Sequence, residues 1–394
     1  MEARWPVPLG PIHGQAMDEK REIMIIAGEA SGDIHGAHLV KAMRASNRDL
    51  AFFGIGGNAL RQAGVRVFID NAEIAVVGIS EAFSKAGILL SALRTVKEEL
   101  KRVRPDLVIV IDFPDFNLQV AKAATRLGIP VMYYISPQIW AWRRGRVKKI
   151  KKVVDHMVVI FPFEVTFYEK WDVPVTFVGH PLLDNVNSGT SGEPKEDLAG
   201  KGPLIGLLPG SRNGEVRHLF PTMVQAADML SEKVPDIRFA VPVASSVDRA
   251  LVESMARQGA SNFLLLSDRL QDILDKSTLV VTASGTVTLE AAIAGTPMII
   301  VYKLSGFSYW FGKRFIQVKH IGLVNLVAGR RVVPELIQDE ASAENISRQV
   351  LQMLADKDAL VGMRRQLRDV VRRLGDPGAS ERAAAVAMGL LSGN

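Results

Sequence analysis

Asp112 closes the apolar run Leu107–Ile111 in the segment Ile111-Asp112-Phe113-Pro114-Asp115-Phe116-Asn117. A carboxylate among apolar neighbours is pushed up in pKa and becomes usable as a general base. Asp115, just after Pro114, falls at the N-cap position of a helix predicted over Phe116–Leu127 and reads as structural. A second acid stands after the first apolar run, Ile23–Ala27, in Gly28-Glu29-Ala30-Ser31-Gly32-Asp33. Its glycines let backbone approach a ligand closely, and Ser31 or Asp33 suits the cap of a helix over His35–Met43. Capping does not need Glu29. The segment is neither the Gly-x-Gly-x-x-Gly fingerprint nor a Walker A loop. The glycines of Gly54-Ile55-Gly56-Gly57-Asn58 follow a short strand without the acidic residue that a dinucleotide site requires.

The second half repeats the arrangement with different chemistry. Leu207-Leu208-Pro209-Gly210-Ser211-Arg212 puts glycine, a hydroxyl and an arginine after a strand, and arginine pairs with phosphate in bidentate fashion. Ala283-Ser284-Gly285-Thr286 opens a helix whose free N–H groups and positive dipole end suit a diphosphate, with Glu290 one turn further in. Glu290 is placed to hold a ribose hydroxyl pair or to be an ordinary helical acid. Between the halves, Tyr134–Arg143 carries Trp140 and Trp142, which either pack in a core or grip a sugar face or an acyl chain. Seven of the ten residues from Arg143 to Lys152 are Arg or Lys, which reads as a solvated helix face or as a site for an anionic partner. A helix predicted over Glu81–Val103 sets Phe83, Ile88, Leu89, Leu90 and Leu93 near one face among several cations. It is either an amphipathic core helix or a lipid-facing one.

The elements that must position these residues alternate. Short, continuous apolar runs (Ile23–Ala27, Leu107–Ile111, Val131–Ile135, Met157–Ile160, Val175–Val178) are separated by helical patterns, which predicts parallel strands covered on both faces. Asn185–Lys201 is rich in Gly, Ser and charge and reads as a linker. The grammar then restarts with Leu204–Leu208, Arg238–Val243, Phe263–Leu266, Leu279–Thr282 and Met298–Val301. The expected fold is α/β, with two doubly wound domains facing across a cleft and a charged helical tail from about Ser342. The expected divisions are a leader over 1–16, domains over 17–188 and 200–360, and a tail over 361–394. Ligands of such sheets bind at the carboxyl ends of the strands.

Composition sets the outer limits. A chain of 394 residues with 48% hydrophobic and 23% charged residues has the balance of a folded protein, and zero Cys excludes disulfides, thiolate metal sites and a Cys nucleophile. Mean hydropathy of +0.14 calls for large parallel-sheet cores or for surface that meets something apolar. The most apolar stretch, Thr278–Tyr302, is broken by Glu290, two glycines and a proline, so no spanning helix is expected. Residues 1–16 carry three prolines and no signal-peptide core. The only Asp-x-Asp pair, Asp356-Lys357-Asp358, lies in the helical tail, so the sequence indicates no metal dependence. Arginine and helix dipoles are the expected substitutes for a cation. No helix-turn-helix or RNA-binding aromatic motif accompanies the basic run, so nucleic acid is not an expected partner.

Together the segments GEASGD (28–33), VVGISE (76–81), IDFPDFN (111–117), YYISPQIWAWRRGRVKKI (133–150), FPFE (161–164), VGHPL (178–182), LLPGSRNGEV (207–216), SGTVTLEAAIAGTPMIIVYK (284–303) and LVNLVAGRRVVPEL (323–336) resemble the lipid-A-disaccharide synthases, glycosyltransferases of family 19 with the GT-B fold. The resemblance is collinear from about residue 22 to 340, and residues 1–16 have no counterpart. It implies transfer from UDP-2,3-diacylglucosamine to 2,3-diacylglucosamine 1-phosphate, giving a β-1,6 disaccharide and UDP, with no cofactor because the UDP-sugar is a substrate. In that reading Asp112 is the general base. Ser211, Arg212, Ser284, Gly285, Thr286, Glu290 and Asn325 hold the UDP part. Glu29, Ser31, Asn117, Trp140, Phe83, Leu89 and Leu90 lie on the acceptor and lipid side. It also implies a cytoplasmic enzyme resting on the anionic inner face of the inner membrane, in a family that includes homodimers with exchanged C-terminal segments. The competing readings are another UDP-sugar enzyme of the same fold, whose GGxGGH-type loop Gly54–Gly57 does not match, and a basic nucleotide- or nucleic-acid-binding protein.

Overall fold

The computed structural model describes residues 21–74, 86–141, 144–188, 198, 200–303 and 320–393. The leader, the segment around VVGISE, Phe83, Trp142 and Arg143 lie outside the described residues. The chain condenses into two compact units, one running to Tyr133 and including Ala384 onward, the other spanning Tyr134–Ala383.

In the first unit the strands are β1 (Arg21–Ala27), β2 (Leu50–Gly56), β3 (Arg66–Asp70), β4 (Leu107–Ile111) and β5 (Val131–Tyr134), ordered β3-β2-β1-β4-β5. β1 pairs in parallel with both β2 and β4, and Ala27 stands in register with Ile111. Ile23–Ala27 and Leu107–Ile111 are wholly buried, as continuous apolar runs should be when helices cover both faces. Each such side chain contributes about 1.5–3 kcal/mol by leaving water. The order reverses between β1 and β4, so their carboxyl ends flank the crevice where an open parallel sheet binds its ligand. β2 runs through Gly54 and Gly56 rather than ending before them. A Cβ at Gly54 would collide with the Ile25 carbonyl, so glycine there lets the strands approach.

Asp33 does not cap its own helix, Ala30–Ser46, whose N-cap is Glu29. It crosses to the second glycine turn and accepts from the N–H groups of Gly57 (2.6 Å), Ala59 (2.9 Å) and Leu60 (3.2 Å). Removing this buried carboxylate strands three N–H donors. Asp33→Ala is expected to cost about 3 kcal/mol in urea unfolding. A change below about 0.5 kcal/mol would contradict the clamp.

In the second unit β6 (His156–Val159) pairs in parallel with β7 (Val175–Phe177). A six-stranded sheet is ordered β10 (Phe263–Ser267), β9 (Arg238–Val243), β8 (Leu204–Leu208), β11 (Leu279–Ala283), β12 (Met298–Tyr302), β13 (Glu335–Ile337). Here the reversal falls between β8 and β11, with Leu208 in register with Thr282. Its core joins Ile205, Leu207, Val281 and Ile299 of the strands to Phe220, Met223 and Val224 of the helix Asn213–Ser231. The tail is helical, over Ala343–Ala355, Lys357–Arg373 and Ala379–Leu391, with Ser342 and Asp356 as side-chain caps.

Candidate active site

In the first unit the turn after β4 is strained. Asp112 and Phe113 both hold positive φ, 44° and 48°, a region that non-glycine residues occupy at a cost of about 1–3 kcal/mol each. Two donors fix the turn through the Asp112 carbonyl, the Tyr133 hydroxyl at 2.7 Å and the Asn117 amide at 2.6 Å. Asn117 also donates to the Ile111 carbonyl at 3.0 Å and is wholly buried. Expected on the acceptor side, Asn117 instead shapes the turn that aims Asp112. Pro114 begins the helix Pro114–Thr125, so Phe113 is the N-cap and Asp115, the expected cap, sits two residues further on in the first turn.

Burial, and then the neighbouring Glu29 carboxylate, push Asp112 from 3.8 up to about 6, opposed by the Phe113 N–H. The pairing of β1 with β4 is what brings the two acids together. Glu29 is half-buried and Ser31 exposed. A Cβ at Gly28 would collide with the Phe113 ring, so that glycine keeps room for the turn. From Phe113 onward the same turn lines an apolar trough of about 460 Å³, together with Leu89, Leu90, Leu93, Pro114, Asp115, Phe116 and Gln119. The helix Ala86–Val103 resolves the choice between core and surface by halves. Ala92, Val96 and Leu100 are buried, whereas Ile88 is 45% and Leu90 69% exposed.

In the second unit the ends of β8 and β11 share a cleft of about 680 Å³. Gly210, Ser211, Arg212 and Glu215 line it from one side, and Ser284, Gly285, Thr286, Val287 and Glu290 from the other. Arg212 is the N-cap of the helix Asn213–Ser231, and its side chain is 69% exposed with Glu215 at 3.6 Å. Glu215 also accepts from the Ser211 N–H at 3.0 Å and occupies the space a Cβ at Gly210 would need. The Ser284 hydroxyl donates to the Ile321 carbonyl at 3.1 Å, and a Cβ at Gly285 would meet open space. Burial raises the pKa of Glu290. An exposed guanidinium at a helix N-terminus, lining one cleft with the Ser284–Thr286 turn, has the chemistry to hold an anion.

Two residues expected at ligands are committed elsewhere. Asn325 is wholly buried; its amide donates to Val333 (3.0 Å) and Glu335 (2.8 Å), and its oxygen accepts from Val332 (2.7 Å) and Val333 (3.1 Å). It pins the loop instead of facing the cleft. Trp140 is buried and its indole N–H donates to Glu164 at 2.9 Å, so it grips neither sugar nor acyl chain. The cleft contains residues that motif reading passed over, Gln138, Glu215, Pro242, Ala244 and Asp268. Inspecting every strand end would have found Ala244 and Asp268. Among the described residues no group of three His, Asp or Glu is placed to hold a metal, and no helix is long and apolar enough to cross a membrane.

Comparison with solved structures defines the class. A UDP-GlcNAc 2-epimerase from Neisseria meningitidis, solved bound to UDP-GlcNAc, matches with TM-score 0.62 at 12% identity, covering 95% of this chain and 100% of that one. CalG4, the calicheamicin glycosyltransferase, matches with TM-score 0.59 at 17% identity over 95% and 99%. The fold is that of the GT-B glycosyltransferases, two Rossmann-like parallel-sheet domains with a helical C-terminal region. At the level of sequence, the lipid-A-disaccharide synthetase family model matches residues 23–388. The lipid-A-disaccharide synthase of Geobacter metallireducens is 46% identical over 374 residues, 94% of this chain and 97% of that protein. The chain belongs to the lipid-A-disaccharide synthetase family and is a glycosyltransferase of lipid A biosynthesis.

Proposed function

We propose that the enzyme transfers the sugar of UDP-2,3-diacylglucosamine to the 6-hydroxyl of 2,3-diacylglucosamine 1-phosphate with inversion, releasing UDP and a β-1,6 disaccharide 1-phosphate. The observation that carries this reading is Asp112, a strained, half-buried carboxylate of raised pKa on the turn whose next residue, Phe113, lines an apolar trough. As general base it takes the proton from the acceptor hydroxyl while that oxygen attacks the anomeric carbon in line. Glu29 and Ser31 line the acceptor side. Arg212, Ser211 and the Ser284–Thr286 backbone stabilise the charge growing on the departing diphosphate, and Glu290 holds the ribose. Functionally, residues 17–188 chiefly serve the acceptor and 200–360 the donor, with Gln138 of the former lining the donor cleft. The donor assignment draws on the nucleotide sugar held by the Neisseria neighbour. Purified enzyme given both diacylated precursors is expected to yield the tetra-acyl disaccharide phosphate by mass spectrometry, with activity retained in excess EDTA. Failure to form the disaccharide from these precursors would overturn the reading.

The substrates reside in a membrane, and we propose that the enzyme docks peripherally on its anionic inner face. The exposed Ile88 and Leu90, and the exposed cations Arg144, Lys148, Lys149 and Lys152, support this. Leu89/Leu90→Ser is expected to abolish flotation with anionic liposomes at moderate salt. Absence of flotation by the unmodified enzyme would refute docking.

A further inference from the structure

The segment after β5 is built around a residue that the mechanism above does not use. Ile135 takes a left-handed φ of 61° and ends the strand. Close turns follow, with the Ile139 N–H donating to the Pro137 carbonyl at 2.6 Å and the Ala141 N–H to the Gln138 carbonyl at 3.1 Å. Ser136, Pro137, Ile139 and Trp140 are buried, and only Gln138 among them is exposed. It lines the same cleft as Arg212 and Ser284–Thr286.

Beneath it lies an anchor. Glu164, 1% exposed, accepts the Trp140 indole N–H at 2.9 Å through Oε1 and the Phe161 N–H at 3.1 Å through Oε2. The Trp140 ring stands edge-on to Phe163 at 4.8 Å, and Phe163 stacks on Phe161 at 5.4 Å. Ser136 and Tyr168 share a hydrogen bond of 2.7 Å. Burial pushes Glu164 up to about 7 against the hydrogen bonds from Phe161, Trp140 and Ser136. Serving as a helix cap needs only one of its oxygens. The other is spent on the tryptophan two residues from Gln138.

The chemistry of the cleft divides accordingly. Its guanidinium and helix N-termini suit an anion, whereas a neutral amide, with two donors and one acceptor, matches hydroxyl or amide groups. We propose that Gln138 is a specificity-determining residue that contacts the transferred sugar of the bound nucleotide sugar, and that Glu164 is the positioning residue that presents it through Trp140. This rests on the reading of the cleft as the donor site.

Calorimetric titration of the full chain with UDP and with UDP-N-acetylglucosamine tests it. The unmodified enzyme is expected to bind both. Gln138→Ala should weaken the nucleotide sugar about tenfold while leaving UDP within about twofold, because a lost neutral hydrogen bond has that size. Glu164→Ala should show the same sugar-selective loss, and Glu164→Gln, which keeps the acceptor for the indole, should recover most of it. Should Glu164→Ala not fold, Trp140→Phe, which removes only the indole N–H, should weaken the sugar selectively and should not add to Gln138→Ala in the double variant. Equal weakening of both ligands by Gln138→Ala, no change in either, or additivity in the double variant would overturn the proposal. Failure of the unmodified enzyme to bind UDP at all would instead overturn the donor-site reading beneath it.

Discussion

Asp112→Asn is expected to lower turnover about 1,000-fold, the size of contribution a positioned general base makes, while UDP affinity stays unchanged. The pH dependence follows from the same residue. Only the ionised carboxylate accepts a proton, so kcat/KM should fall as pH drops through about 6. Glu29→Gln removes the neighbouring negative charge and should move that acid limb to lower pH. Stability should change in the opposite sense to activity. The folded pKa of Asp112 lies above its ordinary 3.8, so its favourable contribution is complete below about pH 4 and is lost as pH rises through about 6. At pH 8 the fold carries a half-buried charge that asparagine lacks. Asp112→Asn should therefore unfold at higher denaturant than the unmodified enzyme at pH 8, by on the order of 2 kcal/mol, and at the same denaturant at pH 4. A variant with near-normal turnover, or one destabilised at pH 8, would show that Asp112 is not a buried base.

Arg212→Ala is expected to weaken UDP binding about 10- to 100-fold, the size of a lost charge-assisted pair with phosphate. It should lower kcat/KM further, because negative charge on the diphosphate grows as the sugar departs. Melting temperature should hardly move. The side chain is 69% exposed and its ion pair with Glu215 spans 3.6 Å on the surface, a contact worth little. Arg212→Lys should recover part of the affinity, since it restores the charge and not the planar fork. Unchanged UDP affinity in Arg212→Ala would remove the phosphate assignment.

The strand ends were readable because continuous apolar runs and helical periods mark where each strand stops. Gly28–Glu29, Asp112, Gly210–Arg212 and Ser284–Thr286 all lie at those ends. What could not be read was adjacency. Nothing in Ile23–Ala27 or Leu107–Ile111 states that β1 pairs with β4, and that pairing alone sets Glu29 beside Asp112. Polar residues within the motifs misled for a related reason. Asn117, Asn325 and Trp140 look like ligand contacts, yet each spends its hydrogen bonds on buried protein groups. Whether an amide faces a substrate or its own backbone depends on side-chain direction, which spacing does not encode. Asp33 and Asp115 show the local version. Capping rules located the turns, but Asp33 reaches a glycine loop 24 residues on, and Pro114 starts the helix before Asp115, leaving that acid inside the first turn.

The stereochemistry of the new bond tests the central claim most directly. A single displacement by an Asp112-activated hydroxyl on an α-linked donor must give a β-1,6 linkage, read from the anomeric coupling in the proton spectrum of the isolated disaccharide. The β anomer is the predicted product, and an α linkage would contradict in-line attack with Asp112 as base.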